Sequence, residues 1–192
     1  MAQAAGAAAG AGAGTGGGGD PPRTLTEHFH SHDPARQGGA WNALWEAGCT
    51  PWDRGGPSLA LRDALLEEPH LFPDHRPSGE GTRRKKRALV PGCGRGYDVL
   101  LLADLGYDVV GLEVSPTALD EARAYAAAVA GREPMVQQGE PVVPGSVTWV
   151  LGDFFGDAWL SEVPGVVGGG GDGEEGSGKF DLIFDYTVRE TE

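Results

Sequence analysis

Cysteine and positive charge are both scarce in this sequence. The 192-residue chain contains only Cys49 and Cys93, too few for a framework of disulfides, so we expect free thiols and a reducing compartment. Fifteen lysines and arginines stand against 28 aspartates and glutamates, a formal net charge of -13. A surface with this charge repels phosphates and anionic lipids. We therefore expect no nucleic-acid partner and no membrane partner.

Long apolar runs are also missing. No stretch approaches the length needed to span a bilayer, and the first residues do not combine a basic region with the apolar core of a signal peptide. We expect a cytoplasmic protein whose partner is a small molecule. The composition gives no indication of the oligomeric state.

The chain divides into three parts by composition. Residues 1–24 are mostly alanine and glycine, which offer little apolar area to offset the entropy of ordering, so we predict a disordered tail. Residues 25–82 carry several aromatic side chains and loop-forming stretches and are expected to form an N-terminal segment. Residues 83–192 alternate apolar strands with helix-forming stretches. This alternation predicts an α/β fold with a Rossmann-like, doubly wound parallel sheet.

Three histidines alternate in the N-terminal segment at positions 28, 30 and 32. Alternation without a second group of ligands is more typical of a solvated strand or loop than of a metal site. We therefore expect no metal.

A glycine-rich turn follows the first apolar strand of the sheet. The run Arg87–Asp98 places Gly92, Gly94 and Gly96 between this strand and a helix-forming stretch. Glycine lets a ligand approach the backbone, and the amides that open the helix can face a polar or anionic group. Dinucleotide-binding proteins favour the spacing G-x-G-x-x-G, whereas this turn reads G-x-G-x-G. The spacing favours S-adenosylmethionine over a nicotinamide dinucleotide.

Two further strand ends carry candidate ligand groups. The second strand ends at Glu113, 21 residues after Gly92, where a carboxylate can accept hydrogen bonds from ribose hydroxyls. A third strand, Val147–Leu151, is followed by Asp153 and Phe154, which could hold an adenine amino group and ring. Asp153 could instead cap a helix or turn.

Five ordered motifs between residues 40 and 186 resemble the thiol and halide methyltransferases related to thiopurine S-methyltransferase. The motifs are Trp41–Asp53, Leu89–Asp98, Val110–Ser115, Gly152–Phe155 and Phe180–Tyr186. The resemblance implies a class I methyltransferase fold, S-adenosyl-L-methionine as cofactor, and methyl transfer to a thiol, bisulfide, thiocyanate or halide. It does not identify a catalytic residue.

The resemblance also implies a role for the aromatic residues of the N-terminal segment. In the resembling family, the positions of Trp41, Trp45 and Trp52 line the cofactor site as part of a lid, and aromatic faces suit a sulfonium cation. The alternative is that the tryptophans only cover the core. Tyr186, at the end of the fourth strand, would either join them or remain a sheet-edge aromatic.

The sequence stops soon after the fourth strand, where the resembling family continues with further helices and strands. We expect this strand to form an open edge of an incomplete sheet, with order three-two-one-four. An alternative to an active enzyme is therefore an inactive, truncated methyltransferase-like protein. A nicotinamide-dependent oxidoreductase is a further alternative, disfavoured by the glycine spacing.

Overall fold

The computed structural model describes residues 25–30, 37–72, 85–137, 140–165 and 180–186. The predicted tail over residues 1–24 and His32 lie outside the described residues. The helices are α1 (Leu25–His30), α2 (Gln37–Glu46), α3 (Leu59–Glu67), α4 (Tyr97–Asp104) and α5 (Pro116–Ala128), with 3-10 turns at Pro69–Leu71 and Ala158–Glu162. The strands are β1 (Arg87–Pro91), β2 (Asp108–Glu113), β3 (Val136–Gln137), β4 (Glu140–Pro141), β5 (Val147–Leu151) and β6 (Leu182–Ile183).

The core of the fold is a four-stranded parallel sheet in the order β5-β2-β1-β6. This arrangement confirms the predicted α/β class, and the order is the expected three-two-one-four when the parallel strands are counted along the chain. The central strands β1 and β2 are almost wholly buried and apolar, as expected for a sheet covered on both faces. The antiparallel pair β3–β4 is an addition that the sequence pattern did not predict.

Helices α3 and α4 pack on one face of the sheet. Leu61 and Leu65 of α3 join Val99 and Leu102 of α4 in a core cluster with Val109 of β2. The opposite face holds a second cluster, which includes Trp159 from the second 3-10 turn. Both faces therefore carry helical cover, but in the described part of the chain the second face has only this short turn.

The apolar pattern of residues 57–66 predicts a helix that packs its four leucines on the sheet. This prediction is wrong for two of them, because Leu59 and Leu66 are exposed. The helix begins at Leu59, after the N-cap Ser58, so that Leu61 and Leu65 share one face at i, i+4. The other two leucines point away from this face.

Two of the three N-terminal histidines, His28 and His30, lie in a helix and not in a strand or loop as expected. Leu25–His30 forms the single helical stretch α1, in which Nε2 of His28 lies 2.9 Å from the carbonyl oxygen of Ala40. The ring of Phe29 packs on Trp41, with centroids 4.6 Å apart. These contacts with α2 stabilise the short helix, and the alternating histidines of the sequence do not predict them.

Strand β6 is shorter than the predicted strand over residues 180–186. Only Leu182 and Ile183 pair with β1, in parallel register with Ala88 and Leu89. Within the described residues β6 has a partner on one side only, and an edge strand loses ladder hydrogen bonds more readily than a central one. The helices of the described ranges include none that is both long and apolar enough to cross a bilayer.

Candidate functional site

The carboxyl ends of β1, β2 and β5 meet at one edge of the sheet, where ligands bind in open α/β folds. The amide of Gly94, in the turn after β1, donates a 3.0 Å hydrogen bond to Oε2 of Glu113 at the end of β2. The amide of Gly152, just after β5, donates to the carbonyl oxygen of Glu113 at 2.9 Å. The structure therefore brings together the glycine turn, Glu113 and the segment that carries Asp153.

All three glycines of the turn adopt left-handed backbone conformations, with φ of 59° at Gly92, 50° at Gly94 and 74° at Gly96. Their neighbours differ. A Cβ on Gly94 would lie 3.4 Å from Cζ2 of Trp45, while a Cβ on Gly96 would lie 2.4 Å from Cη2 of Trp149. Gly96 thus lets Trp149 pack against the start of α4, a role separate from ligand approach. Backbone approach of a ligand remains a prediction for this turn.

Glu113 is a buried carboxylate that is held by backbone amides. The residue is only 6% exposed. Its Oε1 accepts hydrogen bonds from the amides of Val114 at 2.9 Å and Ser115 at 3.0 Å. With the amide of Gly94, three of about four acceptor positions are filled. Burial raises the pKa of Glu113, and the three amide hydrogen bonds oppose that shift. One acceptor position is left unfilled by these amides, and its use by a ribose hydroxyl stays a prediction.

Both cysteines are free, as expected. Cys93 lies in the glycine turn, where burial raises the pKa of its thiol well above the ordinary value and the negative charge of Glu113 raises it further. The thiol therefore stays protonated at neutral pH and is a poor nucleophile.

Residues 41–53, which we call the tryptophan segment, lie over the glycine turn. Trp52 contacts both other tryptophans edge to face, with centroid distances of 5.1 Å to Trp41 and 6.0 Å to Trp45. Trp45 is only 5% exposed and reaches Gly94. The three side chains form one aromatic group beside the turn, which is compatible both with a lid and with cover for the core.

Asn42 attaches this segment to the loop after β2. Its Oδ1 accepts hydrogen bonds from Oγ of Ser115 at 2.8 Å and from the amide of Thr117 at 3.1 Å. Oγ of Ser115 also accepts from the amide of Ala118 and is the N-cap of α5. Asn42 could not be identified from the sequence, because its partners lie more than 70 residues away.

Arg95 provides a second attachment. Its guanidinium pairs with Asp53 of the tryptophan segment and with Glu121 of α5. The same group lies over the ring of Trp45, 5.4 Å from its centroid. Sequence reasoning assigned no role to Arg95, although an arginine inside a glycine turn and an aspartate directly after a tryptophan are features that could have been singled out.

Asp153 and Phe154 have structural contacts of their own. Oδ1 of Asp153 accepts a 3.0 Å hydrogen bond from the amide of Phe155, so the turn-capping role is present. Asp153 is exposed, while Phe154 packs partly against the core cluster that contains Trp159. The ring of Phe155 is exposed beside Phe154, at a centroid distance of 5.6 Å. Contact of Asp153 and Phe154 with adenine stays a prediction.

Tyr186 lies close to the tryptophan segment. The guanidinium carbon of Arg54, next to Asp53, is 4.7 Å from the centroid of its ring. Tyr186 also stacks with Phe184 at 6.2 Å. Its ring is exposed, so both a contact with ligand and a role at the sheet edge remain open.

Among the residues that the structure describes, no group of three or more histidine, cysteine, aspartate or glutamate side chains is placed to hold a metal ion. The edge of the sheet instead offers a buried carboxylate, a left-handed glycine turn and an aromatic group.

The family model for thiopurine S-methyltransferase matches residues 36–166 of the chain. The chain belongs to this family. The match covers the tryptophan segment, the glycine turn, Glu113 and Asp153, and it confirms the resemblance found in the sequence motifs. It also supports S-adenosyl-L-methionine as the cofactor and the class I methyltransferase form of the α/β fold.

Three relatives show how far the similarity extends. Probable thiol methyltransferase 2 of Arabidopsis thaliana is 33% identical over 159 residues, which are 83% of this chain and 52% of the relative. Thiocyanate methyltransferase 1 of Brassica oleracea is 35% identical over 150 residues, 78% and 48% of the two chains. Thiopurine S-methyltransferase of Stutzerimonas stutzeri (strain A1501) is 33% identical over 80 residues, 42% and 29%. The chain spans about half the length of the plant relatives it matches.

The residues at the sheet edge fit this cofactor. Glu113 keeps one acceptor position for a hydroxyl, and the first amides of α4 have no partner within that helix. The aromatic group offers ring faces for a sulfonium.

Proposed function

We propose that this member of the thiopurine S-methyltransferase family transfers a methyl group from S-adenosylmethionine to a small soft nucleophile, namely a thiol, bisulfide, thiocyanate or halide. The observation that carries the proposal is the hydrogen bond between Gly94 and Glu113, which joins the glycine turn to the acidic end of β2 inside the family match. The acceptor class is supported by the names of the plant relatives, a thiol and a thiocyanate methyltransferase.

The nucleoside end of the cofactor is assigned to the three strand ends. Gly92, Gly94 and Gly96 give the turn its left-handed course, and Glu113 accepts a hydrogen bond from a ribose hydroxyl at its remaining position. Asp153, which is exposed, accepts from the adenine amino group, and Phe154 packs beside the ring. Because two of the three amides on Glu113 come from the β2 loop itself, the carboxylate is already oriented before a ligand arrives.

The methionine end is assigned to the aromatic residues. Trp41, Trp45 and Trp52 lie together beside the turn, and Tyr186 lies next to the same segment through Arg54. Ring faces stabilise a neighbouring cation and exclude water from it.

When bound, S-adenosylmethionine would supply an electrophilic methyl group: a bond from the nucleophile to that carbon would form in line as the carbon–sulfur bond breaks and S-adenosylhomocysteine leaves. Halide, thiocyanate, bisulfide and the thiolate form of a thiol are already anionic and need no general base, so the residues of the site act by alignment and by excluding water. We therefore assign no residue to proton transfer. The neutral thiol of Cys93 is not a candidate for a covalent step.

Two measurements on the full chain test the proposal. Calorimetric titration should show binding of S-adenosylmethionine and of S-adenosylhomocysteine and none of NAD. Incubation with iodide, bisulfide, thiocyanate or a small thiol, with detection of the methylated product, should show turnover for at least one acceptor. Failure to bind S-adenosylmethionine would refute the assignment of the cofactor site. Binding without turnover on any acceptor would refute the proposed activity while leaving that site in place.

A further inference from the structure

Arg95 joins two parts of the protein that are distant in sequence. Its guanidinium pairs with Asp53, in the tryptophan segment, and with Glu121, on α5. The side chains of Arg95, Asp53 and Glu121 are 32%, 15% and 32% exposed. A half-buried ion pair of this kind is less screened than one on an open surface.

Asp53 is itself held in place by its own loop. Its Oδ1 accepts a 2.8 Å hydrogen bond from the amide of Gly55, while Oδ2 faces Arg95. The carboxylate therefore connects a defined turn of the tryptophan segment to the glycine turn. The Arg95 guanidinium also covers Trp45, so one cation contacts both the anion and the aromatic ring of this segment.

Trp45 occupies the space directly above the glycine turn. Its Cζ2 atom lies 3.4 Å from the point where a Cβ on Gly94 would be, and the residue is 5% exposed. This separation is an ordinary van der Waals distance, so a ligand that lies against the backbone of Gly94 on this side comes into contact with the Trp45 ring. Displacement of the segment away from the turn widens the path for such a ligand, and the contacts of Arg95 oppose that displacement.

We propose that Arg95 is a positioning residue that, with Asp53 and Glu121, latches the tryptophan segment over the glycine turn and thereby sets the rates at which cofactor enters and leaves. The part that concerns the cofactor rests on the function proposed above. The latch itself is a property of the protein without ligand. Asn42 holds the other end of the segment on Ser115 and Thr117, so loss of the Arg95 contacts frees one end without detaching the whole.

Hydrogen exchange on the ligand-free full chain tests the latch directly. The variants are Arg95→Met, which removes the charge, and Glu121→Gln, which weakens one partner. The matched control is Arg123→Met, which breaks the exposed pair with Asp120 on the same helix without touching the tryptophan segment. We expect amides of residues 41–53 to exchange roughly fivefold or more faster in Arg95→Met, and by a smaller factor in Glu121→Gln. Amides of β1 and β2, and all amides of the control, should keep their rates.

Stopped-flow tryptophan fluorescence with S-adenosylmethionine tests the consequence for binding. Both the association and the dissociation rate constants should rise in Arg95→Met, because the segment opens more often in either state. Arg95→Lys, which keeps a cation near both carboxylates, should restore part of the change. A purely structural role would not raise the association rate.

Three results would overturn the latch. One is unchanged exchange of residues 41–53 in Arg95→Met. Another is exchange that accelerates by the same factor in β1 and β2, which would make the cluster an element of global stability. A third is faster exchange with unchanged binding rates. If the wild-type protein does not bind S-adenosylmethionine, the proposed function fails, and the exchange experiment still decides whether the latch exists.

Discussion

The backbone amide of Gly94 donates a hydrogen bond to Oε2 of Glu113, and the 3.0 Å contact ties the turn after β1 to the end of β2. The two strands are already paired in parallel register, so this bond fixes the loops that extend beyond the sheet. Glu113 orders the turn by accepting from backbone amides. The proposed function gives its remaining acceptor position to a ligand hydroxyl.

The first prediction concerns the charge of Glu113. Glu113→Gln replaces one carboxylate oxygen with an NH2 group. The hydrogens of that group then face backbone amides that donated hydrogen bonds to the carboxylate. We expect affinity for S-adenosylmethionine to fall by about 1.5 to 3 kcal/mol, or roughly 10- to 150-fold, the range for a charged hydrogen-bonding group. Isothermal titration calorimetry measures the change.

The control for this substitution is Glu162→Gln, which makes the same chemical change at an exposed residue of the second 3-10 turn. It should bind like the wild-type protein. Equal affinity of Glu113→Gln and wild-type protein would remove Glu113 from the cofactor site.

The second prediction concerns pH. Burial raises the pKa of Glu113 above its ordinary value of 4.5. A raised pKa in the folded state means that folding is favoured when the carboxyl is protonated, and that this contribution is lost as pH rises through the folded pKa. Binding has the opposite dependence, because a ribose hydroxyl donates best to the ionised group. Affinity for S-adenosylmethionine should therefore fall as pH is lowered from neutrality toward 4.5 and below.

Calorimetric titrations at a series of pH values would measure this dependence. Glu113→Gln should lack the step, since it has no proton to gain at this position. A wild-type affinity that stays constant down to the ordinary carboxyl range would show that ionised Glu113 makes no contact with the ligand.

The sequence was sufficient to predict the parts of the fold that depend on local pattern. Strands β1, β2 and β5 are continuous apolar runs between turn residues, and Ser115 and Gly106 mark helix ends by their own chemistry. Strand β6 was predicted too long, because its apolar run continues beyond the two residues that find a partner. The order of strands followed from right-handed crossovers, which hold for nearly all parallel connections.

The contacts that join distant residues were not predictable in this way. Arg95 contacts Asp53 and Glu121 only because the tryptophan segment folds back over the turn. The hydrophobic periodicity of the sequence does not predict that arrangement. Gly96 was predicted to let a ligand approach the backbone, yet the ring of Trp149 lies where a side chain at position 96 would be. Asp153 is a similar case. Its hydrogen bond with the amide of Phe155 shows the turn-capping role and does not test the predicted contact with adenine.

The third prediction concerns the cap of α5. Oγ of Ser115 is fully buried, accepts from the amide of Ala118 and donates to Oδ1 of Asn42. Ser115→Ala should lower the free energy of unfolding by about 1 to 2 kcal/mol, since it removes the cap and one of the hydrogen bonds of Asn42. Denaturation in urea would measure the loss.

A matched control for Ser115 is Ser58, the N-cap of α3, whose hydroxyl makes a longer 3.3 Å bond and is only partly buried. Ser58→Ala should cost less than Ser115→Ala. Moreover, Asn42→Ala should cost less in the Ser115→Ala background than in the wild-type protein, because the two side chains share a hydrogen bond. Additive losses would show that this bond contributes nothing to stability.

The fourth prediction separates backbone strain from packing at the glycine turn. Gly96 and Gly131 have similar left-handed φ values, 74° and 83°, so alanine strains both backbones alike. Only at Gly96 does the new Cβ meet a side chain, Cη2 of Trp149 at 2.4 Å, while nothing lies within 4 Å of a Cβ at Gly131.

Gly131→Ala should lower the free energy of unfolding by about 1 kcal/mol through strain alone. Gly96→Ala should lower it by a further 1 to 3 kcal/mol or so, since the ring of Trp149, a residue of β5, packs against the start of α4 and must shift. Urea denaturation of the two variants, together with the near-ultraviolet circular dichroism of the tryptophans, would measure both effects. Equal losses at the two glycines would mean that Trp149 yields freely and that Gly96 is required for its conformation and not for packing.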